Sequence, residues 1–230
     1  MGKLTFHGQS CVEIVTGDGT RLLVDPFLTD NPVAVVDRTH FHDRLDYVLL
    51  THGHYDHVAD AWPLLEETNA TLIASFEVAS YAQEVLGHDD VHPMHIGGGF
   101  DFPFGRVKLT PALHGGQVAG EGAAGYTTVP AGLLLTLDGV RIYHAGDTAL
   151  ITDMMLLEGQ VDIALLPIGD NFTMGPEDAA RAVELIKPRV VIPIHYDTWP
   201  LIAQDPEAFR SRVEPRAEVV ILAPGDTHEF

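Results

Sequence analysis

The chain has almost no cysteine. One thiol, Cys11, stands in 230 residues. No intrachain disulfide can form, and a small disulfide-stapled scaffold is excluded. Basic residues are scarce too: 13 Lys plus Arg face 33 Asp plus Glu, a formal net charge of −20. A surface of that sign repels nucleic acid, and no run of basic residues offers a local exception. No stretch approaches the ~18 uninterrupted apolar residues of a membrane-spanning helix. The opening MGKLTFHGQS lacks the apolar run of a secretory leader, and Phe6 breaks the myristoylation pattern that Met1-Gly2 would begin. These absences lead us to expect a cytoplasmic protein with neither a membrane nor a nucleic-acid partner. The length and the 46% hydrophobic content suit one domain over residues 1–230, with a core that needs no staples.

What is present is histidine, 13 of them, set in a chain of short apolar runs punctuated by Gly, Pro and Asp. VEIVTGDGTRLLVDP reads as a hairpin around Gly17-Asp18-Gly19, and AGLLLTLDGVRIYHAGDT as a second one turning at Asp138-Gly139. DYVLLTH, TLIASF, RVKLTPALH, VDIALLPIG and RVVIPIHYDT read as further strands. VADAWPLLEETNA, SFEVASYAQEVLG and GPEDAARAVELIKP read as helices. Hairpins early and β-α-β alternation later predict α/β (α+β) sheets flanked by helices. The Gly- and Ala-rich segment 114–130 reads as a mobile loop beside a candidate ligand.

The stretch LLTHGHYDHVAD concentrates the chemistry. His52, His54, Asp56 and His57 lie behind an apolar strand and ahead of a helix. Ligands two apart in extended chain point the same way, so His52, His54 and Asp56 can share a face, with His57 reaching across. One ion cannot comfortably take all four from so tight a loop. Two ions can, with His52 and His54 on one and Asp56 and His57 on the other. Further donors should come from strand ends on the same rim. His114 after VKLTPAL, Asp147 in YHAGDT and His195 after VVIPI fit, and the Asp147 carboxylate can bridge two cations. A lone strand-end histidine is ordinarily structural; a packed group of three histidines and an aspartate is not.

THGHYDH fits the T-H-x-H-x-D-H signature of the metallo-β-lactamase superfamily, which the chain resembles. The resemblance implies a four-layer αββα sandwich, the metallo-β-lactamase fold, with a dimetal site at the sheet edge held by His52, His54, Asp56, His57, His114, Asp147 and His195. VDPFLTDNP, HPMHIGGG, LLPIGDNFTMGPEDAA and HYDTWPLIAQDPEAF look like a bacterial and archaeal family of small metal-dependent hydrolases, similar to the ascorbate-phosphate lactonases. One departure is visible. Many relatives read H-G-H-S where this chain has HGQS, so Gln9 replaces a histidine with a side chain that cannot carry a switching proton.

Around the ligands, Asp25 either fixes a ligand tautomer or is a plain turn carboxylate before Pro26. His7 and His144 are candidates for substrate-facing or supporting roles. Asn171 could aim its amide at an oxyanion, against the plainer reading that Thr173 caps the following helix. His92 and His95 read as structural or substrate-adjacent and not as a third metal site, His40 and His42 as solvated, His228 as plain, Cys11 as core, and the glycines 97–99 as no phosphate loop. The expected chemistry is a dimetal hydrolase: two divalent ions, zinc on ligand grounds with manganese or iron as options, activate a bridging water against a small ester, lactone, amide or phosphodiester. Asp56 both ligates and orients the nucleophile in this reading. The lactonase likeness extends the substrates to phosphorylated ones, and homo-oligomers are an option. The competing readings are a metal-dependent nuclease or phosphodiesterase, a diiron redox protein, and a non-catalytic metal-binding module.

Overall fold

Short, near-continuous apolar strands need both faces buried, and two seven-stranded sheets, packed face to face and covered by helices outside, provide that. The computed structural model describes residues 1–230. The first sheet holds β1 (Lys3–Gly8), β2 (Cys11–Val15), β3 (Arg21–Val24), β4 (Tyr47–Leu49), β5 (Thr71–Ser75), β6 (Val91–Met94) and the closing β14 (Thr227–Glu229), in the order β14-β1-β2-β3-β4-β5-β6. The second holds β7 (Gly99–Phe102), β8 (Gly105–Pro111), β9 (Ala131–Leu137), β10 (Val140–His144), β11 (Ile163–Pro167), β12 (Val190–Ile194) and β13 (Glu218–Val219), in sequence order from edge to edge. Each sheet begins as antiparallel hairpins and ends as parallel crossovers, as the pattern of turns predicts.

Between the sheets lies one apolar layer, with Leu4, Ile14, Val24 and Leu49 from one side and Leu109, Leu133, Leu165 and Ile192 from the other. The outer face of the first sheet is covered by α1 (Tyr55–Val58), α2 (Ala61–Thr68) and α3 (Phe76–Glu84), which bury Val58, Leu64 and Tyr81 against Cys11, Val48 and Leu72. The outer face of the second is covered by α4 (Pro176–Ile186) and α5 (Pro206–Val213). The layers are therefore αββα, the expected sandwich. Both predicted hairpin turns form, with Asp138 and Gly139 at φ +50° and +83°, the left-handed pair that a tight turn demands. No helix is long and apolar enough to cross a membrane.

Strand direction decides where chemistry can gather. β1, β3, β4 and β5 run one way in the first sheet. In the second sheet β8, β10, β11 and β12 share a direction. The residues just past their C-terminal ends include Gln9, Asp25, His52, His114, Asp147 and His195. Parallel sheets of this kind present ligand sites at that edge. The segment 114–130, read from sequence as a mobile loop, bonds to the loops and helix around it. Ala119 donates to Gly53, Thr128 to Gly116 and Trp62 Nε1 to Ala119, while Val118 and Ala123 join the outer core.

Candidate metal centre

The seven donors named from sequence meet at this rim in two groups. His52, His54 and His114 form one; Asp56, His57, Asp147 and His195 form the other. Within each group the donor atoms lie within 4.8 Å of one another. In the first, His52 Nε2 and His114 Nε2 lie 3.1 and 3.2 Å from His54 Nδ1. In the second, Asp147 Oδ1 is 3.3 Å from His57 Nε2, and Asp147 Oδ2 is 3.1 Å from His195 Nε2. Asp147 Oδ2 also stands 3.5 Å from His114 Nε2, so this carboxylate lies between the groups. In this division His52 stands with His54 and Asp56 with His57, and His114 completes the first group while Asp147 and His195 complete the second.

The local sequence explains the convergence. Past β4 the extended stretch His52-Gly53-His54 points both rings one way, and α1 then turns Asp56 and His57 back towards them. Close approach of the loops demands small residues. Gly146 sits at φ +62°, and a Cβ there would lie 2.8 Å from Thr51 Cβ. A Cβ on Gly169 would collide with the carbonyl oxygen of His195. Gln9, Asp25 and His195 themselves hold φ of +55°, +46° and +54°. Non-glycine residues pay for that region, and here the cost concentrates at the rim.

Asp25 is the hub beneath the donors. It is buried, and its Oδ1 accepts from the Thr51 backbone N–H at 2.8 Å. Its Oδ2 accepts from Thr51 Oγ1 at 2.7 Å and lies 2.8 Å from His57 Nδ1. Because the Thr51 hydroxyl spends its hydrogen on Asp25, the nitrogen 3.0 Å away, His52 Nδ1, must donate to it. Both His52 and His57 are thereby held with hydrogen on Nδ1 and Nε2 turned to the cluster.

The Gln9 amide is the feature that sequence reasoning left undecided. Its Nε2 donates to Asp56 Oδ2 at 2.8 Å and stands 2.8 Å from His195 Nε2, while its Oε1 accepts from Thr198 Oγ1 at 2.5 Å. Its backbone carbonyl accepts from the His195 N–H at 2.7 Å, tying the first sheet to the second. The motif HGQS carried the signal; only the fold shows what the amide touches.

The supporting candidates divide. His144 is buried, donates from Nε2 to the Ser10 carbonyl at 3.0 Å and accepts the Gly146 N–H at 3.2 Å, so it braces the turn that delivers Asp147. His7 turns away: its Nε2 is 3.3 Å from Glu13, and its ring packs 5.8 Å from Phe41 beneath the first sheet's outer cover. That corrects the substrate-facing option, because alternation along β1 points His7 to the opposite face from Phe6 in the inter-sheet core. Asn171 is exposed at φ +43° and its side chain makes no hydrogen bond; its neighbour Phe172 lines the cavity instead. Thr173 donates to the Met174 carbonyl and does not cap α4, which starts from Gly175. His42 pairs with Glu67, His95 stacks on Phe76, and His92 packs on Phe100 and Phe102.

Electrostatics separates the two groups. Burial, then repulsion from His57, holds His52 well below the usual imidazole range. Burial likewise lowers His54 and His114. These rings are neutral at pH 7 and present lone pairs. In the other group burial opposes charge but loses: Asp147, Asp56 and Asp25 lift His57 well above its ordinary value, and Asp147 with Asp56 lifts His195 to about 9. Asp147 is buried, which favours its neutral form, yet His195 and His57 hold it well below the carboxylate range. His57 Nε2 and Asp147 Oδ1 face each other without a hydrogen-bond partner. Buried polar atoms are rarely left so. Two carboxylates and five imidazoles with inward atoms fit divalent cations and fit no apolar ligand.

An αββα sandwich with a His- and Asp-rich donor cluster at the strand ends defines the metallo-β-lactamase fold class. A model of the β-lactamase superfamily domain matches residues 20–196, and the chain belongs to that family, within its UPF0173 metal-dependent hydrolases. Among the relatives, the UPF0173 metal-dependent hydrolase of a Geobacillus species is 48% identical over 233 residues, covering 99% of this chain and 100% of the relative. That of Desulforamulus reducens is 49% identical, covering 97% and 98%. The solved structure of Igni18, a metallo hydrolase from the archaeon Ignicoccus hospitalis, superposes with a TM-score of 0.87 at 33% identity, covering 100% of this chain and 99% of that one.

Proposed function

We propose that the protein is a dimetal hydrolase of small molecules that cleaves an ester, lactone, amide or phosphodiester bond with water. The carrying observation is the division of the donors into two adjacent groups with Asp147 between them. His52, His54 and His114 would hold one cation. Asp56, His57, Asp147 and His195 would hold the other, with Asp147 reaching both. Imidazole and carboxylate donors without a thiolate suit zinc, with manganese or iron compatible. When bound, two such ions supply an activated water and polarise the scissile oxygen.

The chain's own residues do the rest. Asp25 and Thr51 keep His52 and His57 in the coordinating tautomer. Asp56 is the donor of its group most open to the cavity, at 22% side-chain exposure, and can orient the attacking water. Gln9 donates to Asp56 Oδ2 and so orients that carboxylate. The step needs no oxidant: water adds at the carbonyl or phosphoryl centre, the bond to the leaving oxygen or nitrogen breaks, and a proton passes to that leaving atom.

The test couples metal content to turnover. Protein stripped by a chelator should be inert towards a panel of esters, lactones and phosphodiesters and regain activity with zinc. Asp147→Ala should bind fewer than two ions per chain by elemental analysis. Two ions retained in that variant refute the bridging role. Fully loaded protein inert across the panel favours the non-catalytic metal-binding reading.

A further inference from the structure

The donors open into a cavity of about 340 Å³ whose remaining walls are Tyr55, Phe172 and Trp199. All three rings are conspicuously bare for aromatic side chains, at 54%, 53% and 36% exposure. Two of them are held in place. Phe27, buried to 1%, meets Tyr55 edge-on at 6.1 Å and Trp199 at 5.9 Å, and the Tyr55 hydroxyl donates to Asp30. Phe172 rides a loop whose preceding residues, Asp170 and Asn171, both adopt left-handed backbone. Preset rings that water covers in the free protein stand ready for an apolar partner.

Charge points the same way. No Lys or Arg lines the cavity. Nine of the 13 basic residues are engaged in ion pairs with Asp or Glu elsewhere. Of the others, Lys3 opens β1 and Arg189 precedes β12, both at the sheet edge away from the donors. The rim beside the rings instead carries Asp30, Asp170 and Asp197, all exposed. Cations at the donor cluster would attract the reacting oxygen. A second negative charge on the substrate, a few ångströms further out, would meet aromatic faces and aspartates with no guanidinium or ammonium to receive it.

Building on the hydrolase reading above, we infer that the substrate carries an apolar, non-anionic aromatic or alkyl group beside its scissile bond, gripped between Tyr55, Phe172 and Trp199. This turns away from the phosphorylated substrates that the lactonase likeness suggests, and Phe172 and Trp199 become specificity-determining residues.

A matched pair of aryl esters tests it: phenyl acetate and its para-phosphorylated counterpart, assayed with zinc-loaded protein. The neutral ester should have a kcat/KM at least about tenfold higher. Phe172→Ala, on an exposed loop, should raise KM for the neutral ester on the order of tenfold, the loss expected from about 60 Å² of apolar contact. Its kcat and metal content should hold. Phe172→Lys should move the preference towards the anionic ester by a similar factor. Equal or better turnover of the anionic ester, or no change of preference in Phe172→Lys, overturns the inference.

Binding separates this inference from the hydrolase reading. In a Trp62→Phe background Trp199 is the sole tryptophan, and its fluorescence should respond to phenylacetamide but not to 4-phosphonophenylacetamide. A response without turnover of any ester, lactone, amide or phosphodiester sinks the hydrolase reading and leaves the rings as a binding site for an apolar, non-anionic group. No response to the neutral amide sinks the inference, whatever the turnover.

Discussion

Replacing Asp25 by Asn should weaken metal binding without touching a donor atom. The Asp25 carboxylate accepts three hydrogen bonds of 2.7–2.8 Å, from Thr51 N, Thr51 Oγ1 and His57 Nδ1. An amide of the same size accepts at one atom only. If its oxygen serves Thr51 N, its NH2 faces Thr51 Oγ1 and His57 Nδ1 and asks both to accept. His57 then moves its hydrogen to Nε2, the atom aimed at Asp147, and loses its donor lone pair. Thr51 no longer spends its hydrogen on residue 25 and can offer it to His52 Nδ1, so that ring is disturbed as well. Supporting partners of this kind contribute about 10–100-fold in metal affinity, roughly 1.4–2.7 kcal/mol. Calorimetric zinc titration of both proteins should show the loss chiefly at the site containing His57. Asp60→Asn is the control. Asp60 is buried at the same edge and accepts from Leu28 N, Thr29 N and Thr29 Oγ1, none of them next to a donor. It should lower stability and leave zinc affinity alone. Wild-type affinity in Asp25→Asn, or an equal loss in Asp60→Asn, would refute the tautomer argument.

Three further outcomes are expected. Gln9→Ala should lower affinity for the second ion several-fold, because Asp56 loses the amide bond that orients it, while the three-histidine site binds as before; equal loss at both sites in a two-site titration would mean general loosening. Metal-free His57 and His195 carry protons at pH 7, and ligation requires them neutral, so filling their site should release about two protons and tighten as pH rises towards 9, whereas filling the three-histidine site should release none. Calorimetry in phosphate and Tris checks this, since a binding heat independent of buffer ionisation contradicts it. Glu13 is pushed up by burial, but its bonds to His7 and Arg21 prevail and bring it to about 2. A depressed folded value means stability is complete above the unfolded value near 4.5 and is lost as pH falls towards 2, so Glu13→Gln should flatten the decline in melting temperature over that window, and an unchanged slope would count against the pairing.

The fold and the convergence of the seven candidate donors were legible because each rests on local pattern. THGHYDH puts four donors on one turn, and His114, Asp147 and His195 each follow an apolar run whose end can be read off the chain. The grouping was less legible. Whether His114 joins His52 and His54 depends on β8 and β4 lying in different sheets and meeting at one edge, and nothing local encodes that distance. Gln9 was visible only as a departure from a pattern, since its contacts with Asp56 and His195 span 47 and 186 residues. His7 misled because a histidine near a strand end reads the same on either face, and the pleat had turned it to Glu13. The aromatic walls went unnoticed for a similar reason: Tyr55 opens a one-turn helix, Phe172 and Trp199 come from two separate loops, and isolated aromatics so placed carry no period.

What the sandwich achieves physically is the assembly of unfavourable things in one place. The rim gathers left-handed backbone at Gln9, Asp25 and His195, buried carboxylates at Asp25 and Asp147, and imidazoles packed as close as 4.1 Å between ring centres. Each would be costly alone: unpaired buried charge by several kcal/mol, strained backbone by about 1–3 kcal/mol per residue. None can relax by moving outward, because the loops that carry them are seated on a continuous apolar layer contributed by both sheets. In the metal-free protein the neighbouring carboxylates favour a proton on His57 and on His195. Divalent cations would replace those protons with stronger, directional bonds and let the polar atoms of His57 and Asp147 that lack partners find them. The same rigidity explains why supporting residues such as Asp25 and Gln9 should matter nearly as much as the donors. In a rim that cannot adapt, a ring in the wrong tautomer or a carboxylate turned away has no second arrangement to fall back on.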